Sequence, residues 1–338
     1  MRHASTLVAA GVLSVMAVQP PSAQQSVFRG TANGVTVNVA VRKGNTPVPN
    51  LGAADFVVYD NGVRQTIESV SLSAIPIDVT VFLGTNNQAS AKQLGNLTSD
   101  VKKIGALLRV DDQVQLLTLA NRVVDVFGWR SGDRAEASIN VQVGGVQSLY
   151  DALFLAMMHP PDPARRHLIV AISDGVEFGS VVDSTTLRDV ARRAEAVLHL
   201  VLVDAGNERG PEASLPGPGN PAGVRGTFPP SGPPANSAAM SSGTFLFLRA
   251  SWFHVRADVQ GLDRLSETAQ LTGGTVRHTS AGEPIVESFK RAFEDFRESY
   301  VLRYTAMGVP AGGWHDVRVE VLNQPKYVIR ARRGYFGR

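Results

Sequence analysis

Residues 77–83, Ile-Asp-Val-Thr-Val-Phe-Leu, are apolar at most positions rather than at alternate ones. Strands of that character are covered on both faces, as parallel strands are inside an α/β sheet. The next two hundred residues supply the alternation such a sheet requires. Residues 91–108 place Leu94, Leu97, Val101, Ile104 and Leu108 at three- and four-residue spacing, one face of a helix. Strands are then expected at 114–119 and 123–127, the second antiparallel because the link between them is hairpin-short. Helix 149–158, strand 167–172, helix 184–196, strand 197–203, helix 262–271 and strand 275–278 come next, with Gly273-Gly274 ending the last of those helices. Helix 285–299 closes the series and gathers Ile285, Val286, Phe289, Ala292, Phe293 and Phe296 on one side. Strands alternating with helices predict a doubly wound, mainly parallel α/β sheet over 75–299.

Both flanks of this region are β in character. Residues 35–41 alternate with period two, Lys43-Gly44-Asn45 is a turn, and 55–59 reads as a strand. Asp60-Asn61-Gly62 carries a hairpin signal, with 65–72 as the return strand. Residues 300–305, 316–322 and 327–330 read as further strands. Segments 27–74 and 300–336 are each too short to bury a core alone. They are expected to combine into one small β-sandwich-like module built from both termini. Within the α/β region, 205–243 is crowded with Gly, Pro, Ser and Asn and reads as a flexible insert. Trp252-Phe253-His254 continues the apolar run that starts at Phe245 and is expected to pack on the sheet. No internal repeat is present.

The amino terminus carries a targeting signal. Arg2 and His3 precede an apolar stretch at 7–18, and Pro20-Pro21-Ser22-Ala23 leads into polar Gln24-Gln25. A basic start, an apolar core of about a dozen residues and a small residue before a polar stretch make a secretory signal peptide over 1–23. Its core is shorter than the roughly 20 apolar residues of a membrane span. The mature chain is therefore expected outside the cytoplasm, periplasmic or secreted, without membrane insertion.

Composition narrows the chemistry. The formal charge is +3, from 33 basic and 30 acidic residues with no dense basic run, which excludes nucleic acid as the expected partner. Cysteine is absent, which removes disulfide frameworks, thiolate metal sites and cysteine nucleophiles. His159, His167, His199, His254, His278 and His315 show no metal-ligand spacing. Asp111-Asp112 is expected to be a solvated turn rather than a pair of acid/base carboxylates. No nucleophile elbow and no phosphate-cradling glycine loop is found. The chain is not expected to be an enzyme.

An ordered series of segments resembles the von Willebrand factor A fold, in its acidobacterial VWFA-related branch. It begins with Pro47-Val48-Pro49-Asn50-Leu51 and Asp55-Phe56, then Asp112-Gln113-Val114. Ser148-Leu149-Tyr150-Asp151-Ala152-Leu153, Ser173-Asp174-Gly175 and Thr272-Gly273-Gly274-Thr275 come after these. Tyr300-Val301-Leu302-Arg303-Tyr304 and Ala331-Arg332-Arg333-Gly334-Tyr335-Phe336 close it. The resemblance implies a metal-ion-dependent adhesion site at the carboxyl ends of the strands, where an Asp-x-Ser-x-Ser loop, a threonine and an aspartate surround magnesium. This chain departs from that pattern. Gly84, Asn86 and Gln88 fall on the Asp, Ser and Ser positions, and the threonine position falls on Gln147, or on Ser148 if the loop shifts by one. Asp174 alone keeps the family residue. A doubly charged ion is hard to hold with one loop carboxylate, so no metal is expected. If any ion is held, Asn86, Ser148 and Asp174 are the remaining donors, and magnesium or manganese the ion. The reading is an exported, non-enzymatic module that binds a protein or cell-envelope ligand through a degenerate adhesion site. The alternatives are a scaffolding component of an envelope or secreted assembly and, further off, a metal-dependent adhesion protein.

Overall fold

The computed structural model describes residues 34–72, 74–84, 97–119, 123–135, 148–160, 162–177, 179–204, 259–280, 283–322, 324 and 326–337. The expected signal peptide, the 205–243 insert and Trp252-Phe253-His254 lie outside the described residues.

The apolar run at 77–83 forms β6 (Ile77–Gly84), buried along all but its last residue. It sits inside a six-stranded sheet with β7 (Gln113–Leu119), β8 (Val123–Ser131), β9 (Arg166–Ser173), β10 (Val197–Asp204) and β11 (Val276–Ser280). The spatial order is β11-β10-β9-β6-β7-β8, parallel throughout except for the antiparallel pair β7 and β8. The chain winds outward from β6 to β8, then returns to the other side of β6 to place β9. The order therefore reverses between β6 and β9, the crevice where open α/β sheets bind ligands. One face is covered by α1 (Leu97–Leu107) and α5 (Ile285–Arg297), the other by α2 (Leu149–Met157), α3 (Ser184–Arg193) and α4 (Val259–Leu271). The spacing along α5 explains its seat, since Ile285, Val286, Phe289, Ala292, Phe293 and Phe296 are all buried against the sheet. Gly273, at φ +84°, ends α4, and Gly274 brings the chain so near Leu198 that an added Cβ would lie 1.7 Å from its carbonyl oxygen.

The flanking segments pair with each other. β1 (Gly34–Lys43) lies between β12 (Tyr300–Thr305) and β14 (Val328–Ala331), with β5 (Ile67–Leu72) on the far side of β12 and β2 (Thr46–Pro47) against β1. A second sheet has the order β15-β13-β3-β4, from β15 (Gly334–Gly337), β13 (Gly313–Val321), β3 (Phe56–Asp60) and β4 (Val63–Gln65). Val37, Val39, Val58, Leu302, Tyr304 and Val319 fill the space between the two sheets. Asn61 and Gly62, at φ 45° and 81°, make the tight turn that joins β3 to β4.

Three expectations need correction. The return strand at 65–72 is two strands in different sheets. Gln65 turns the corner by donating from Nε2 to the carbonyls of Val63 and Met307 (3.1 and 3.0 Å) and accepting the Met307 N–H. The helix expected to reach 196 stops at Arg193, because Ala194 is already extended. Asp111 is exposed as a solvated turn requires, but Asp112 is 1% exposed. Its carboxylate accepts the N–H groups of Ile77 (2.8 Å) and Arg109 (2.7 Å) and pairs with Arg297, so it staples the starts of β6 and β7 to α5.

Candidate functional site at the carboxyl ends of the strands

Gly84 is the last residue of β6, and Asp174 comes directly after the last residue of β9. Leu83 and Ile172 are partners in the register of these two strands, so both positions share one edge of the sheet, at the point where the strand order reverses. Ser148 immediately precedes α2 and is half-buried, and its side chain does not cap the helix. Asn86, Gln88 and Gln147 lie outside the described residues. Gly84, Ser148 and Asp174 are thus at one end of the domain, on the loops that leave β6, enter α2 and leave β9.

The loop after β9 is held by its own carboxylates. Asp174 Oδ1 accepts the Val176 N–H (3.1 Å), and the buried Ser173 hydroxyl accepts the Gly175 N–H (3.0 Å). Glu177 reaches across to α2, where its Oε2 accepts the Tyr150 N–H at 2.8 Å, while Oε1 accepts the Ser180 N–H at 2.9 Å. Ser180 Oγ accepts the Asp151 N–H (3.2 Å), and Asp151 in return accepts from Val181 and Val182 (3.1 and 2.9 Å). The unpaired N–H groups that open any helix favour a negative group there, and Glu177 supplies it from within the chain. Asp183 then caps α3 through the Thr186 N–H at 2.7 Å, a bond that holds its carboxyl below the usual carboxylate range. Hydrogen bonds to ionised acceptors are about twice as strong as neutral ones, so Asp151, Asp174, Glu177 and Asp183 form a pre-ordered acidic rim.

Gly84 offers no side-chain donor, and Asp174, the one carboxylate among the expected ligand positions, accepts the Val176 N–H at Oδ1. Among the described residues no three histidine or acidic side chains gather in an arrangement that could hold a metal ion. Glu177, Ser180 and Asp151 were not among the site residues expected from sequence. Asp151 carries a sequence signal, an acidic residue in the first turn of a helix, whereas Glu177 and Ser180 carry none because they act across to α2 from a separate loop.

The strand order and the reversal beside Asp174 invite comparison with proteins of known structure. The solved structures that the chain matches include von Willebrand factor A domains. No protein-family model matches it, and no curated protein does. Among solved structures, BatB from Bacteroides thetaiotaomicron is 13% identical with a TM-score of 0.37, over 65% of this chain and 96% of that one. The SpRpn10 VWA domain is 10% identical with a TM-score of 0.35, over 64% of this chain and 94% of that one. Proximal thread matrix protein 1 from the mussel byssus is 10% identical with a TM-score of 0.34, and the match covers 39% of each chain. The α/β assignment rests on the strand order and parallel register of the chain itself. Among the described residues, no helix is long and apolar enough to cross a membrane.

Proposed function

We propose that this chain is an exported, non-enzymatic binding module that engages a protein or cell-envelope ligand at the carboxyl ends of β6 and β9, without a bridging metal. The supporting observation is the acidic rim, where Asp174, Glu177, Asp151 and Asp183 all accept backbone N–H groups. Carboxylates used in this way order a recognition surface in advance, which lowers the entropy lost on binding. They are correspondingly less suited to an ion or to proton transfer.

The test is a melting series on the mature chain with magnesium, manganese and ionic-strength controls. A ligand that binds only the folded state adds roughly 2.7 kcal/mol at a hundredfold excess over Kd. The wild type should show no metal-specific shift, whereas the triple variant Gly84→Asp, Asn86→Ser, Gln88→Ser should gain one. Capture of an envelope partner should survive a chelator and be lost in Asp174→Ala. Wild-type binding that collapses in chelator and returns with magnesium overturns the metal-free reading.

A further inference from the structure

The face of the sheet beneath α2 carries a second feature, at the opposite end of that helix from Ser148. α2 has nine residues and spans about 14 Å, so it covers only the upper part of β6, β7 and β9. Below it the inward side chains turn polar. Thr80 is fully buried, and its hydroxyl contacts His167 Nε2 at 2.9 Å and accepts from Gln115 Nε2 at 2.8 Å. The rings of Trp129, His159 and His167 stand 5.1–5.8 Å apart beside them.

Strand β8 is reshaped to build this corner. Val114 pairs with Arg130 and Leu116 with Phe127, so two residues, Gly128 and Trp129, oppose Gln115 alone. Leu117 then pairs with Asp125, which makes Val126 a second extra residue. Bulges of this kind re-aim side chains and cluster beside functional sites. Phe127 accordingly enters the α1 and α5 face, while Trp129 points to the α2 face. Alongside runs an open groove of about 430 Å³ bordered by Gln115, Val123, Asp125, Leu155, Met158 and His159. Leu155 and Met158 are 58% and 57% exposed, and neighbouring Val124 is 42% exposed. β8 is also the last strand of the sheet, and among the described residues no strand pairs with its outer edge.

We propose that the outer edge of β8 and this groove form a binding site for an extended peptide segment that adds as a further strand. Its chemistry is set by the register. A strand added about 4.8 Å away places side chains opposite those of β8, and alternate residues face α2. The position opposite Asp125 takes lysine or arginine, as opposite charges do across paired strands. Two residues along, on the same face, a large apolar side chain packs on Val123, Leu155 and Met158. The recognised pattern is thus a basic residue and a large apolar residue separated by one. This site is independent of the acidic rim at Asp174.

The probe is a short fluorescent peptide with lysine and leucine at alternate positions and threonine at the rest. It should bind the full mature chain saturably, and the same peptide with glutamate for lysine should not. Asp125→Lys should weaken binding about tenfold or more, since like charges placed together at an interface are strongly unfavourable. Leu155→Ser should weaken it as well, with the melting temperature of each variant unchanged. Asp174→Ala, which disables the proposed rim, should leave peptide affinity intact. N-methylating every backbone nitrogen of the probe removes the donors on both of its edges and should abolish strand addition. Equal binding of the glutamate peptide, or of the N-methylated one, overturns the proposal. So does a dimer in sedimentation velocity that the peptide displaces, because the edge then belongs to a second copy of the chain.

Discussion

The two faces of the central sheet are built from the same strands yet differ in what they bury. On the α1 and α5 face the inward residues of β6 are Ile77, Val79, Val81 and Leu83, apolar from end to end. On the opposite face the same strand presents Asp78 and Thr80 before Phe82, and β9 presents His167 before Ile169 and Ala171. Asp78 is held there by Arg165 at 2.6 Å. The first face is a finished core. The second is finished only where α2, α3 and α4 reach it, and its remainder is a hydrogen-bonded polar corner. A sheet face without a helix over it has to satisfy its polar groups locally, and such a corner tolerates an opening where a core does not.

The comparison breaks most easily on the finished face. Phe289 is fully buried and stacks on Phe293 with ring centroids 5.4 Å apart. Phe289→Ala should cost about 3–5 kcal/mol, the range for emptying an aromatic site in a packed core. Urea unfolding measures it, and a loss below about 1 kcal/mol would mean that this face collapses around the cavity.

Acid should act on both faces, through the buried His199 and the half-buried His167. Burial lowers the pKa of His167 from 6.5 to about 3, with His159 adding a smaller push. Burial likewise lowers His199 to about 4, although nearby Asp295 opposes the shift. Both folded values lie below the unfolded value, so below pH 6.5 the unfolded chain takes up protons that the folded chain refuses. The stability these residues contribute is complete above pH 6.5 and is lost as pH falls toward 4 for His199 and 3 for His167. At one pKa unit per about 1.4 kcal/mol, moving from pH 7 to pH 5 should cost on the order of 2 kcal/mol per histidine. Unfolding at the two pH values reads this, and His167→Gln should reduce the slope. A flat profile would mean that the histidine sites open to water.

Thr80→Val tests the polar corner directly. The substitution keeps the shape and favours a strand, but it strips His167 and Gln115 of their shared partner. His167 and Gln115 are half-buried and partly within reach of water, so losing this partner should cost about 1 kcal/mol, at the low end of the range for unpaired polar groups, whereas a gain in stability would show that the network contributes nothing.

The difference between the faces also marks what can be read from sequence. The parallel strands are legible because β6, β9 and β10 are apolar runs between helical repeats, and the α5 face is legible from its spacing. The β8 bulges are not, because two extra residues in one strand appear only against the register of its partner. The corner at Gln65 is hidden for a similar reason, since its stabilising carbonyl and N–H belong to Met307 in a distant segment. Asp112 reads as a surface acid because its partners, Ile77 and Arg297, lie far from it along the chain. At the candidate site, Gly84, Ser148 and Asp174 can be placed from loop positions alone. The bonds from Glu177 and Asp151 cannot, since they depend on how the loop after β9 folds over the start of α2.

The smallest expected effect is the most informative about the open groove. Leu153 and Leu155 sit two positions apart on α2, where helical geometry points them in different directions. Leu153 is fully buried and Leu155 is 58% exposed. Leu153→Ala should cost about 2–5 kcal/mol, as buried leucines do. Leu155→Ser removes apolar surface that is already in water, so the remaining cost is mainly helix propensity, at most about 0.5 kcal/mol. Paired urea titrations of the two variants read the difference. A near-zero cost at Leu155 together with weakened peptide binding means that its side chain acts on a partner rather than on the fold. A cost approaching that of Leu153 would mean that Leu155 is covered in the free protein, and the β8 edge beside it would not be open to an incoming strand.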